Sequence, residues 1–154
     1  MKRILKTAAF CLLAAVITFA AGCGSAEKKS GKIVVFADSQ FGGAAQTLAE
    51  TYDRGAQVEF VFDTTQTLSD KLSTGEKADL LVLYGVTPAD KLRGSRLIDN
   101  YLVFAGEKTN KGSVALTMAK PLSSRSYAQA QRFADFILSD EGRAILKQYG
   151  YAVR

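Results

Sequence analysis

The chain has 154 residues, 47% of them apolar and 23% charged, a balance that builds one packed domain and excludes an extended disordered polypeptide. It holds no histidine and only two cysteines, so the usual general base and the commonest metal ligand are missing. A formal charge of +5 rests partly on Lys2, Arg3 and Lys6; without them 17 basic residues face 15 acidic ones, a net +2 that gives no nucleic-acid footprint.

Those three cations precede "TAAFCLLAAVITFAA", an uncharged apolar stretch followed by "GC" and the polar "GSAEKKSGK". This is the order of a secretory signal, too short and wrongly flanked for a membrane span. The segment "FAAGC" resembles a bacterial lipobox, in which a small residue precedes the cysteine that receives lipid, here Cys23; Ala20 stands where Leu is usual. The expected organisation is therefore a signal over 1–22, a tether over 23–31 and one lobe over 32–154, with an ordinary secreted protein as the alternative. Cys11 would leave with the signal and Cys23 would carry lipid, so no thiol remains for a disulfide, a metal or a nucleophile.

Along the lobe, "KIVVFA" (32–37) reads as a buried strand, and Phe41, Ala44, Ala45, Leu48, Ala49 and Tyr52 recur at helical spacing over 41–53. "QVEFVF" (57–62) alternates like a strand, Gln66 to Ser73 suits a short helix, and "ADLLVLYG" (78–85) supplies a third strand. Thr87 and Pro88 read as N-cap and first position of another helix. This alternation predicts an α/β fold, a three-layer sandwich with a mainly parallel central sheet, in which 32–37, 57–62 and 79–83 are central strands. "YLVFAG" and "SVALTMA", with the polar "EKTNKG" between them, predict a hairpin or adjacent antiparallel strands. Two helices close the chain: Tyr127, Ala130, Ala134 and Ile137 mark the first, while Ser139 caps the second, Asp140 and Glu141 occupy its positive end and Gly150 follows it.

The segments "IVVFADSQFGGAAQTLAETYD", "VEFVFDTTQTLSDKL", "GEKADLLVLYG" and "AQRFADFILSDEGRAILKQYGY" together resemble the periplasmic molybdate-binding protein family and its type II solute-binding relatives. The resemblance covers roughly 32–104 and 113–151. Family members have two lobes, and "AGEKTNKG" stands where a relative crosses into its second one, which implies a single-lobe version here.

What the resemblance implies is an oxyanion such as molybdate or tungstate, held by neutral donors and presented to an ABC permease. Ser39 falls where the family has a serine after its first strand, and Thr65 where it has a second hydroxyl. Independently of the family, helix N-termini offer free N–H groups and the positive end of the dipole to an anion, and Gly42 and Gly43 would let it approach the backbone. Leu83 and Tyr84 stand where relatives tend to have a small polar residue. Ser39 and Thr65 also fit plain helix caps, Asp38 beside them is awkward for an anion and fits pointing away or binding a backbone N–H instead, Asp79 suits a strand entry or the surface, and Tyr149 and Tyr151 suit packing. No cofactor, no metal and no enzymatic constellation is read from the chain.

Two functions follow. In one, a lipid-anchored solute-binding component sits on the extracytoplasmic side of the cell envelope, in the periplasm or at the cell surface. In the other, a degenerate single lobe is an envelope lipoprotein that works through protein contacts, including self-association, without a specific ligand.

Overall fold

The computed structural model describes residues 31–52, 57–110 and 112–154; the leader, Cys23 and nearly all of the tether lie outside the described residues. Six strands form one sheet in the order β2-β1-β3-β5-β4-β6. They are β1 (Ile33–Asp38), β2 (Val58–Asp63), β3 (Leu80–Tyr84), β4 (Ile98–Thr109), β5 (Gly112–Pro121) and β6 (Ala152–Val153). The helices are α1 (Gly42–Thr51), entered through a 3-10 turn at Ser39–Phe41, α2 (Thr65–Ser73), α3 (Val86–Gly94), α4 (Tyr127–Leu138) and α5 (Asp140–Gln148).

β1 runs parallel to β2 and β3, whereas β3–β5, β4–β5 and β4–β6 are antiparallel. The sheet is therefore mixed, its parallel part confined to the first three strands. β2 stands at the edge rather than in the centre, which accounts for its half-buried, alternating side chains.

β1 and β3 are buried on both faces, with successive side chains feeding opposite cores. Ile33, Val35 and Ala37 meet Leu80, Val82, Phe104 and Leu116 under α1, α4 and α5. Phe36, Leu81 and Leu83 meet Leu68, Leu72, Ala89 and Leu92 from α2 and α3 on the other side. The last two helices both pack on the first of these faces. This period-2 division is what a continuous apolar run in a sandwiched sheet requires. The first core holds an aromatic cluster: the Phe133 ring lies 5.0 Å from Tyr52 and 6.4 Å from Phe136, centroid to centroid.

Asp79 is a strand-entry carboxylate, buried and structural. It accepts from Val34 N at 3.0 Å, from Ser124 Oγ at 2.7 Å and from Ser126 N at 3.2 Å, so it fastens the start of β3 to β1 and to the approach of α4. Ser139 joins α4 to α5 in a single residue, donating to Phe136 O at 2.6 Å and accepting from Gly142 N at 3.2 Å.

Two boundaries differ from the sequence expectation. Gly85, at φ +91°, ends β3 and serves as N-cap, so α3 begins at Val86 and Pro88 sits inside its first turn, where a missing N–H costs nothing. "AGEKTNKG" is mostly strand: Thr109 pairs with Gly112, and the polar residues on either side stay in register.

Candidate functional site

The carboxyl ends of the three parallel strands form one rim, marked by Asp38, Asp63 and Tyr84. Asp38 and Asp63 are register partners. Where β1 stops, the Asp38 side chain caps the 3-10 turn: its Oδ1 accepts from Gln40 N at 3.0 Å. Its Oδ2 accepts from Thr65 N at 2.8 Å and from the Thr65 hydroxyl at 2.6 Å. That hydroxyl accepts in turn from Tyr84 N at 2.9 Å. One carboxylate, 5% exposed, therefore binds together the ends of β1, α2 and β3.

A second set of hydroxyls stands behind it. Tyr151 donates to Gln40 O at 3.1 Å, and its oxygen lies 2.9 Å from that of Tyr84. Burial pushes both phenols above the usual tyrosine range, so both stay protonated at neutral pH. The Thr117 hydroxyl, fully enclosed, is shared between Leu83 O and Gly85 O, each at 3.3 Å, and holds the turn out of β3. Of the residues expected at a site, Thr65 lies in this network, but its one O–H is already donated to Asp38. Capping of α2 falls to Thr64, which accepts from Thr67 N at 3.2 Å. Ser39 is exposed beside the network. Gly42 faces the Phe62 ring at 3.8 Å and Gly43 faces the Tyr149 ring at 3.0 Å, measured from a built Cβ, so aromatic rings fill the room beside both glycines. Tyr149 is half exposed and reaches Thr47 at 2.6 Å, while Tyr151 is the packing residue of the pair.

Asp38 and Asp63 end the first two strands, and a third carboxylate, Glu107 of β4, stands near the Tyr84 and Tyr151 phenols. The N–H of Thr64 beside Asp63 holds its carboxyl below the usual range, so Asp63 stays ionised, with Lys71 at 3.4 Å as its counter-charge. Two backbone N–H groups and one O–H converge on the single carboxylate of Asp38. Among the described residues no group of three His, Cys, Asp or Glu side chains could hold a metal ion, and no helix is long and apolar enough to cross a membrane. A groove of about 280 Å³, lined by Tyr101, Leu102, Met118 and Leu138, lies beside Leu80 at the other end of β3, remote from the rim.

Sequence reasoning set Asp38 beside Ser39 and Thr65 and allowed it a backbone N–H partner, which it has in Gln40 and Thr65, but it did not foresee the links through Tyr84, Tyr151 and Thr117. Asp followed by Ser at a strand end is an Asx-turn signal, and it was the available clue to Asp38.

Residues 106–152 match the family described as bacterial extracellular solute-binding protein. No curated protein matches the chain in sequence. Among solved structures, a substrate-binding domain assigned to a molybdenum ABC transporter of Clostridium difficile superposes with a TM-score of 0.74 at 11% identity, covering 81% of this chain and 100% of that one. The periplasmic molybdate-binding protein of Azotobacter vinelandii gives 0.73 at 10% identity, with 79% and 99% covered. The sulfate-binding protein of Mycobacterium tuberculosis gives 0.63 at 10% identity, with 79% and 86% covered. The fold is that of these receptors, and the resemblance carried by the sequence is upheld at the level of fold and of the C-terminal family match.

Proposed function

We propose that the protein is the solute-binding component of an ABC importer, a binding protein rather than an enzyme, whose solute is a tetrahedral oxyanion of the molybdate or tungstate kind. The observation that carries the reading is the convergence of Gln40 N, Thr65 N and the Thr65 hydroxyl on one pair of anionic oxygens at the carboxyl rim. In open α/β sheets ligands gather just beyond that rim, and hydrogen bonds to charged oxygens contribute roughly 1.5–3 kcal/mol each. Ser39 would add a hydroxyl from the exposed side, and Gly42 lies one helical turn further on.

With donors on one side only, the anion stays half solvated, so titration of the mature chain with molybdate should show saturable binding in the micromolar range or weaker, with poor rejection of sulfate. No heat at millimolar molybdate would sink this reading.

The same reading places the mature N-terminus at Cys23, lipid-anchored on the extracytoplasmic face. Cells labelled with a fatty-acid analogue should incorporate it into the wild type and not into a Cys23→Ser variant; equal incorporation would remove the anchor.

A second reading, a lobe that works through protein contacts, is favoured by one observation: the donors at the rim are already satisfied by Asp38, while Leu102, Leu122 and Tyr127 stand exposed at the other end of the sheet. Under it the mature chain self-associates in sedimentation equilibrium and ignores oxyanions. A monomer that binds molybdate excludes it.

A further inference from the structure

The end of the sheet opposite the rim carries one continuous apolar patch. Two hollows lie there, of about 280 and 290 Å³, and both are lined by Asn100 and Lys120, so the surface runs unbroken from Leu102 to Leu122 and Tyr127. Those three side chains are 48%, 61% and 57% exposed, and large apolar groups left together in this way mark a contact surface. Lys120 lies among them, its ammonium 4.0 Å from the centre of the Tyr127 ring and bonded to Gln131. Arg96 and Arg125 are exposed in the connections on either side, and among the described residues only Asp99 puts an acid in either lining.

The chain enters the lobe beside this patch. Ser126, which precedes Tyr127, donates its hydroxyl to Lys32 O at 3.4 Å, and a Cβ built on Gly31 would lie 3.9 Å from Gln129. Cys23 is eight residues from Gly31, so a lipid on that cysteine keeps the patch within about 28 Å of the bilayer even with the connection fully drawn out. We infer that the patch is a membrane-docking face: Leu122 and Tyr127, continued by Leu102, enter the headgroup region of the bilayer that holds the Cys23 lipid, with Lys120 and the two arginines set against its anionic phosphates. This rests on the reading of Cys23 as lipid-anchored and adds how the lobe lies on the surface.

Tyrosine and leucine beside cations suit a lipid–water interface, because the ring is amphipathic and lysine lays its stem along apolar surface while its charge stays wet. Three side chains alone hold a membrane weakly. A short tether makes the contact intramolecular, at an effective concentration of about millimolar, so a weak contact suffices. A two-fold contact between copies of the chain would instead bring the same positive margin against itself. Docked on the bilayer, the lobe holds Asp38, Asp63 and Tyr84, at the far end of the strands, away from it.

The sequence contains no tryptophan, so Tyr127→Trp gives the lipidated mature chain a single indole at the patch and Phe62→Trp gives it one at the rim. Each variant is reconstituted into vesicles of phosphatidylcholine and phosphatidylglycerol with brominated or unbrominated acyl chains, and the emission is compared. Brominated lipid is expected to quench the Tyr127→Trp indole by about twofold or more and to leave the Phe62→Trp indole nearly unchanged. Adding Leu122→Asp, at a position too exposed to endanger folding, should return most of the lost emission. Equal quenching at the two positions, or none at either in chains that float with the vesicles, overturns the inference and leaves the anchor in place. A chain that neither floats nor takes fatty-acid label at Cys23 overturns both. A Cys23→Ser chain that dimerises in sedimentation equilibrium, and loses the dimer with Leu122→Asp, gives the patch to a second copy and overturns the inference as well.

Discussion

Gly142→Ala is expected to destabilise the lobe by about 3 kcal/mol or more, beyond the ordinary range for overpacking. A Cβ at this position would lie 2.3 Å from Phe136 O and 2.5 Å from Ile137 O, and both atoms are backbone of the last turn of α4. Neither can swing away as a flexible side chain would. The clash arises because a single residue, Ser139, joins the two helices and brings the first turn of α5 against the carbonyls of α4. Thermal unfolding should show the loss as a fall of roughly 10 °C or more for a domain of this size. A variant that melts within two or three degrees of the wild type would mean that α5 can slide on α4, and the tight corner would lose its importance.

Phe133→Ala should cost about 3–5 kcal/mol, the range for a large aromatic removed from a closed core. The ring is 1% exposed and lies between Tyr52, Phe60 and Phe136, at 5.0, 6.3 and 6.4 Å. Those neighbours come from the end of α1, from β2 and from α4 itself, so the void opens where three elements meet and none can collapse into it alone. Urea unfolding followed by far-ultraviolet circular dichroism reads the change as a lower midpoint at similar slope. Phe133→Leu, which refills most of the volume, should recover more than half of it. If alanine and leucine behave alike, the cluster is not the packing centre of this face.

The strands and helices of the first half were legible because their signals are local. Ile33 to Ala37 alternate between two cores, and Leu68 and Leu72 recur at helical spacing, so neither pattern depends on distant sequence. The edge position of β2 was less legible, since strand order across a sheet is set by pairings that no local pattern encodes. Lys108 to Lys111 look like a loop by composition. Part of the stretch is nevertheless strand, because Glu107, Lys108 and Thr109 pair in register with Val114, Ser113 and Gly112.

The rim shows the same division. Chain order alone places Ser39 and Thr65 after the first two strands. That Asp38 engages Thr65, 27 residues on, and that Thr65 meets Tyr84, a further 19 on, exists only once the three strand ends lie side by side. A buried carboxylate between helix starts reads in sequence as an obstacle to an anion. In three dimensions it accepts the N–H of Gln40 and both donors of Thr65, and so ties the strand ends together.

The hairpin of β4 and β5 bears on how the chain reaches its fold. These strands make the most extensive pairing in the sheet, running from Ile98 with Pro121 to Thr109 with Gly112. In a chain where a whole lobe separates them, closing the loop comes first and each doubling of its length costs about 0.6 kcal/mol of entropy. Here the partners are neighbours in sequence, so their pairing becomes a local contact of the kind that speeds folding. β4 and β5 are then positioned to form early as a template, on which β3 docks through Leu81 to Tyr84 and brings the parallel strands with it.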